Sequence, residues 1–169
     1  TKFRNVTGVQ TCALPISAIP YLTGEFMMIQ DGDLEYDPKD FHVILEAAEK
    51  NAADAVYGSR IMKGIDTHYN SYYAGVMFLT IVTNILFGSR LTDAATAYKL
   101  VRMTTLRKLR LNTSGFDLDF ELTNKLLRAG AKVLEVPISY KPRTFAEGKK
   151  IRAVDGIKAL FVILRDRIF

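Results

Sequence analysis

The short uncharged run "FMMIQ" at residues 26–30 predicts a buried strand. Asp37-Pro38 then places an N-cap residue before a proline suited to the first helical position. The helix expected from there to about Asn51 carries Phe41, Ile44, Leu45 and Ala48 on one face. "DAVYGS" reads as a second strand ending at Gly58. Strand, helix and strand in succession predict a βαβ unit and a parallel sheet.

Further on, "YYAGVMFLTIVTNILFG" at residues 72–88 carries no charge over seventeen positions. A membrane span needs about 20 predominantly apolar residues, and Thr80, Thr83 and Asn84 interrupt this run. The expectation is a buried or membrane-surface helix. A strand at 97–101 and a short helix at 104–109 follow. "DLDFELTNKLLRAG" is a clearer helix, with Leu118, Leu122 and Leu126 in phase and Gly130 closing it. "AKVLEVPISYKP" is strand-like, Pro137 marking an edge or a break. The last helix, 153–169, sets Ile157, Leu160, Phe161 and Leu164 against Asp155, Lys158, Arg165 and Arg167. There are no repeats.

At 169 residues, 49% hydrophobic and 24% charged, the chain has the balance of one soluble globular domain. Its formal charge of +5 points weakly to an anionic partner. The single cysteine, Cys12, excludes a disulfide framework and suits a reducing compartment. Residues 6–16, "VTGVQTCALPI", read as the translation of a common sequencing adapter. They have no hydrophobic period and no cap; a natural Cys-containing loop is the alternative. Residues 1–17 are therefore set aside as an artefactual segment, which removes Lys2 and Arg4 from the basic surplus. With no initiator Met, the chain reads as a fragment.

The chemistry begins where the first strand ends. Asp31, Asp33, Glu35 and Asp37 fall at every second position, as in a calcium loop, but Tyr36 and His42 stand where that loop needs Gly and Glu. The carboxyl end of a parallel strand opens into a ligand crevice. Two carboxylates flanking Gly32 there can face one Mg²⁺ or Mn²⁺, which fills its remaining positions with substrate phosphate and water. A solvated acidic loop is the plainer reading, and Asp37 is expected to be only the helix cap. Arg143, Lys149, Lys150 and Arg152 form a basic loop with Gly148, able to hold phosphate or to be surface charge alone. Arg60, after a strand-ending Gly-Ser, is a further anion-facing candidate. Paired acids and separate cations suit a reaction between two phosphorylated substrates.

"IQDGDLEYDP", "ADAVYGSR", "NILFGSRLTDAATAYKLVR", "GFDLDFELTNKLLRAGAKVLEVPISYKPRTFAEGKKI" and "DGIKALFVILRDR" resemble the family 2 glycosyltransferases. More narrowly they resemble polyprenyl-phosphate glycosyltransferases of the dolichyl-phosphate mannose synthase type, over residues 21–169. The resemblance implies a GT-A fold: α/β, a mainly parallel sheet with flanking helices, here lacking its first nucleotide-binding half. Asp31 and Asp33 match the metal- and donor-binding acids, and Glu35 stands near the metal where relatives often place Gln. Arg60 matches an arginine that meets the acceptor phosphate. Arg143 and Lys149 match basic residues of a loop that closes over the substrate phosphates. Asp93 lies near the reacting centre, and Asp117, Asp119 and Glu121 occupy the stretch where other members keep a catalytic base. Relatives begin with a "VIPAYNE"-like strand that is missing here, so the chain as it stands is expected to be inactive.

The expected organisation is an artefactual segment at 1–17, the carboxyl-side part of a GT-A domain at 18–152 and an amphipathic helix at 153–169. The expected activity is inverting transfer of a sugar from a nucleotide diphosphate to a polyprenyl phosphate, with Mg²⁺ or Mn²⁺, peripherally at the cytoplasmic membrane face. Nucleic acid is not an expected partner. The alternatives are a family 2 transferase acting on a sugar hydroxyl and a non-catalytic membrane-surface binding module.

Overall fold

The computed structural model describes residues 13–32, 34–64, 70–113, 115, 117–143 and 153–169. A helical turn, α1 (Ala13–Ala18), and a 3₁₀ turn, Ile19–Tyr21, lead to strand β1 (Phe26–Met28). Asp37 caps the next segment as expected, its Oδ1 accepting from Lys39 N at 3.0 Å. A 3₁₀ turn over Pro38–Asp40 runs into helix α2 (Phe41–Lys50), which leads to β2 (Ala55–Ser59). The uncharged run forms α3 (Asn70–Phe87), and β3 (Lys99–Arg102) and α4 (Met103–Leu106) follow. Helix α5 (Leu118–Arg128) closes on Gly130 at φ 69, a left-handed position suited to glycine. Strand β4 (Val133–Pro137) and helix α6 (Ala153–Ile168) complete the described elements.

The α/β class holds, and the sheet order is β1-β3-β2-β4. β3 runs antiparallel to both β1 and β2, whereas β2 and β4 pair in parallel. Three strands therefore share one direction, as a βαβ succession predicts, but β1 and β2 are not neighbours. The reversed strand β3 lies between them, so the sheet is mixed and one of its three pairings is parallel. That insertion determines where the loops meet. Lys99, the first residue of β3, pairs with Tyr57 near the carboxyl end of β2. The segment entering β3 thus lies at the same sheet end as the segments leaving β1, β2 and β4.

Side-chain alternation along the strands splits the core into two layers. Met27, Ala55, Tyr57 and Val101 face Leu79 of α3, Leu122 and Leu126 of α5 and Ile163 of α6. Val56, Leu100 and Tyr98 face Ile44 and Ala48 of α2, with Tyr36 and Ile138. Pro137 is the last residue of β4, an edge strand, where its missing N–H costs the sheet nothing.

Helix α6 divides its expected apolar face. The side chains it buries are Ala159, Val162, Ile163 and Asp166. Ile157, Phe161 and Leu164 point outward at 68, 66 and 45% exposure, and of the predicted apolar face Leu160 packs against the core. On α3, Val76 and Leu79 are buried together with Thr80 and Thr83, while Phe78, Ile81 and Ile85 are exposed. Thr80 accepts from the Ala94 amide of the following loop, whereas Thr83 donates to the Leu79 carbonyl of its own helix. No helix among the described residues is long and apolar enough to cross a membrane.

Gly58 marks the tightest point of the sheet. A Cβ there would lie 2.7 Å from Ile138 Cγ2 and 3.1 Å from Tyr98 Cβ, the latter fixed to backbone. Gly58→Ala is expected to lower stability by about 1–3 kcal/mol through overpacking, read as a lower urea midpoint at unchanged m-value.

Candidate active site

Three strand ends and the reversed strand's entry converge on a group of charged side chains. Arg60 follows β2 directly, and its guanidinium binds the Asp93 carboxylate in bidentate fashion: Nε to Oδ2 at 2.6 Å and Nη2 to Oδ1 at 2.7 Å. The Arg60 amide adds a third bond to Oδ2 at 3.1 Å. Both side chains are almost fully buried. Burial alone would raise the Asp93 carboxyl pKa, but the Arg60 charge and hydrogen bonds overcome it and hold the group below the usual carboxylate range. The two residues that the sequence offered separately, as phosphate contact and reacting-centre acid, are one ion pair.

Asp93 is held by a pinned loop. Thr92 and Asp93 amides donate to Glu135 of β4 at 2.6 and 2.9 Å. Asn84 of α3 accepts from the Leu91 amide at 2.9 Å and donates to the Leu91 carbonyl at 2.8 Å. Thr80, one helical turn earlier, accepts from the Ala94 amide at 3.2 Å. These are the polar residues that interrupt the uncharged run; their spacing of four was the available signal, and it marks a loop anchor.

A second ion pair lies beside the first. Lys99 Nζ is wholly buried, donates to Asp119 Oδ1 at 2.9 Å and to the Thr96 carbonyl, and sits 5.1 Å from the Tyr57 ring centre. Burial pulls the lysine pKa down. An isolated lysine in the apolar stretch "AYKLV" was the sign of it, which a surface-charge reading passes over. Glu121 is also buried, with every described bond directed to structure. Oε2 accepts from the Asn112 and Thr113 amides and the Thr113 hydroxyl at 2.8–2.9 Å. Oε1 accepts from Lys125 at 2.6 Å and Arg165 at 3.1 Å. Burial opposes ionisation, but those donors hold its pKa at about 2. A carboxylate so satisfied is a poor proton acceptor, and Asp119 is occupied by Lys99. Asp117 stands at the N-cap position of α5, half-buried, and makes no capping bond with its side chain.

Asp31 is exposed just past the carboxyl end of β1, and Asp33 lies outside the described residues. Leu34 follows at φ 61, left-handed for a non-glycine residue, and beyond it Glu35 and Tyr36 are buried. Glu35 Oε2 accepts from Tyr140 Oη at 2.8 Å, and Oε1 accepts from the Arg143 amide at 2.8 Å and Nε at 3.3 Å. The residue read as a metal neighbour thus ties the start of the basic loop to the acidic turn. Arg143 is placed there; Lys149 and residues 144–152 lie outside the described residues. The Tyr140 ring packs tilted against Tyr36, and its centre lies 5.2 Å from the Arg60 guanidinium carbon. A cleft of about 270 Å³ opens beside it, lined by Arg60, Lys63, Tyr73, Ser139, Tyr140 and Lys141. Among the described residues, no three His, Cys, Asp or Glu side chains cluster tightly enough to hold a metal.

Comparison with known proteins bears on this arrangement. The model for glycosyl transferase family 2 matches residues 16–110, more than half of the chain. The chain belongs to glycosyltransferase family 2. It is 27% identical over 141 residues to an undecaprenyl-phosphate mannosyltransferase of Micrococcus luteus, covering 78% of this chain and 56% of that protein. It is 26% identical over 133 residues to the low-salt glycan biosynthesis hexosyltransferase Agl6 of Haloferax volcanii, covering 75% of this chain and 31% of that protein. An uncharacterized protein of Methanocaldococcus jannaschii is 24% identical over 120 residues, covering 68% and 51%. The chain spans about half the length, or less, of these relatives. The resemblance read from the motifs is therefore upheld, and this family 2 glycosyltransferase keeps its charged pairs at the converging strand ends.

Glu121 gives a pH test of the structural assignment. Its folded pKa of about 2, against 4.5 unperturbed, stabilises the fold above pH about 4.5 and loses that contribution as pH falls toward 2. The full effect is on the order of 3 kcal/mol. Glu121→Gln is expected to lower stability at pH 7 and to flatten the dependence of the urea midpoint between pH 5 and 2.5.

Proposed function

We propose that the complete protein is an inverting glycosyltransferase that moves a sugar from a nucleotide diphosphate to a polyprenyl phosphate. The observation that carries this reading is the gathering of Asp31, the Arg60–Asp93 pair and Arg143 at one sheet end, beside a cationic cleft. The similarity to an undecaprenyl-phosphate mannosyltransferase supports the acceptor class. The acceptor oxygen attacks the anomeric carbon, that C–O bond forms, and the bond to the diphosphate oxygen breaks with its electron pair leaving on the nucleotide. A phosphomonoester with a second pKa near ~6 is already ionised at neutral pH, so no general base is required. Arg60, oriented by Asp93 and Tyr140, is assigned to the acceptor phosphate, and Arg143 and Lys149 to the phosphates under the basic loop. Asp31 and Asp33 offer hard oxygen donors, which suit Mg²⁺ or Mn²⁺ arriving with a diphosphate because such ions need only one or two protein carboxylates. That ion supplies charge neutralisation of the leaving diphosphate.

A lipid-borne acceptor requires a protein that works at the bilayer surface, and we assign that contact to the outward apolar residues of α3 and α6. Phe78, Ile81 and Ile85 lie on one helix and Ile157, Phe161, Leu164 and Ile168 on the other, with Lys158 and Arg167 exposed beside them. Such a surface suits peripheral attachment at the cytoplasmic face. The 169-residue chain is assigned no turnover on its own, because the part of it that matches these relatives covers 56, 51 and 31% of their lengths.

The second reading, transfer to a sugar hydroxyl, is favoured by one observation: Asp117 is a half-buried carboxylate at the site with no capping bond. In the full-length enzyme, Asp117→Asn is expected to reduce kcat less than tenfold with polyprenyl phosphate. A near-total loss would select the hydroxyl acceptor and a base role for Asp117.

Metal dependence is tested on the same enzyme: chelator, Asp31→Asn and Asp33→Asn are each expected to abolish transfer with the circular dichroism spectrum unchanged. Full activity in saturating chelator would remove the metal. Arg143→Ala is expected to weaken phosphate handling by about 2–5 kcal/mol, seen in kcat/KM for donor or acceptor. Release of the protein from membranes by alkaline carbonate is the outcome expected of peripheral contact.

A further inference from the structure

Glu135 lies in the middle of β4, opposite Tyr57 of β2, and is not among the residues to which the family resemblance gives a role. Its carboxylate spans two consecutive amides. Oε2 accepts from Thr92 N at 2.6 Å and from Thr92 Oγ1 at 3.0 Å, and Oε1 accepts from Asp93 N at 2.9 Å. Thr92 Oγ1 bonds in turn to Ser59 Oγ at 2.7 Å, and Ser59 Oγ accepts from the Ile61 and Met62 amides at 3.2 and 3.3 Å. Arg60 is therefore fixed twice: through its ion pair with Asp93, and through its flanking backbone by Ser59 and Thr92. Both routes end on Glu135. Beyond β4 the chain runs on to Tyr140, beside the Arg60 guanidinium, and to Arg143.

We propose that Glu135 is a positioning residue for glycosyl transfer: its ionised carboxylate sets the Arg60–Asp93 pair in register with the Tyr140–Arg143 segment. This rests on the assignment of Arg60 to the acceptor phosphate. A carboxylate is the group required, because both amides and the Thr92 hydroxyl are donors and need an acceptor on each oxygen. An amide in its place would turn an N–H toward an N–H.

The Asp93 charge acts on Glu135, Asp119 and Glu135 both act on Tyr57, Lys99 Nζ sits 5.1 Å from the Tyr57 ring centre, Arg60 is paired with Asp93, and Arg90 lines the same cavity as Glu135. Burial, followed by the neighbouring Asp93 charge, raises the Glu135 pKa against its three hydrogen bonds. An upward shift means that the native state takes up this proton more readily than the unfolded chain. Through this residue acid therefore favours the fold over the unfolded chain while it protonates the carboxylate that forms the clamp.

The test uses the full-length enzyme with nucleotide-diphosphate sugar and polyprenyl phosphate. Glu135→Gln is expected to lower kcat/KM for the acceptor at least tenfold at pH 7.5, with the donor KM within twofold of wild type. The wild-type rate is expected to fall on the acid side with a midpoint above the ordinary Glu value, and that limb should be absent in Glu135→Gln. Hydrogen exchange provides a readout independent of turnover: protection of the Thr92 and Asp93 amides should drop in the variant while β2 and β3 amides keep theirs. Glu135→Asp, which retains the charge, should recover part of the rate. Wild-type kcat/KM with an unchanged acid limb in Glu135→Gln would overturn the proposal. So would equal loss of protection across the sheet, which marks a purely structural residue. Intact exchange effects with no turnover on polyprenyl phosphate in the wild type would overturn the acceptor assignment and leave the clamp standing.

Discussion

The Arg60–Asp93 ion pair is the constraint around which this molecule is arranged. Two charges held out of water are stable only if each is fully answered, and removing one partner of such a pair typically costs about 3–5 kcal/mol. Asp93 meets the condition with three bonds, all from Arg60. The loop that delivers Asp93 must then be immobile, and β4 and α3 supply the hydrogen bonds that make it so. The reversed direction of β3 brings that loop to the end of the sheet where Arg60 leaves β2. Sheet topology, loop geometry and the site's electrostatics are one solution to a single buried pair.

The second pair, Lys99–Asp119, shows how the same end of the sheet divides its charges between structure and chemistry. Lys99 is drawn under the sheet face, and Glu121, two residues beyond Asp119, is turned toward α6 and the 112–113 backbone. Of three acids spaced every second residue, two are committed to holding α5 in place, and Asp117 alone stands at the helix start without a capping bond. A run of carboxylates in a sequence states how much negative charge is available. It does not state how much is already neutralised.

Helices α3 and α6 extend the same lesson to apolar surface. Their inward faces carry Thr80, Thr83, Asn84 and Asp166, each hydrogen-bonded, while isoleucine, leucine and phenylalanine side chains point out. Thr80 and Asn84 anchor the loop that carries Asp93, and Asp166 binds Asn124 of α5, so each helix buries polar groups beside its apolar core contacts.

Much was legible beforehand because it is local. The strand at "DAVYGS", the Asp37-Pro38 helix start, the Gly130 stop and the uncharged helix follow from period, cap and backbone preference within a few residues. The family resemblance also singled out Asp31, Arg60, Asp93 and Arg143 as candidates, and the structure brings them to one end of the sheet. Pairing across distance was not legible: that β3 enters between β1 and β2, that Arg60 and Asp93 meet 33 residues apart, and that Glu135 holds Asp93 from 42 residues away. Sequence determined which residues are charged and which segments are helix or strand, since those depend on neighbours along the chain. Only tertiary structure decided which charges are spent on each other and which stay exposed, since burial and partnership depend on neighbours in space.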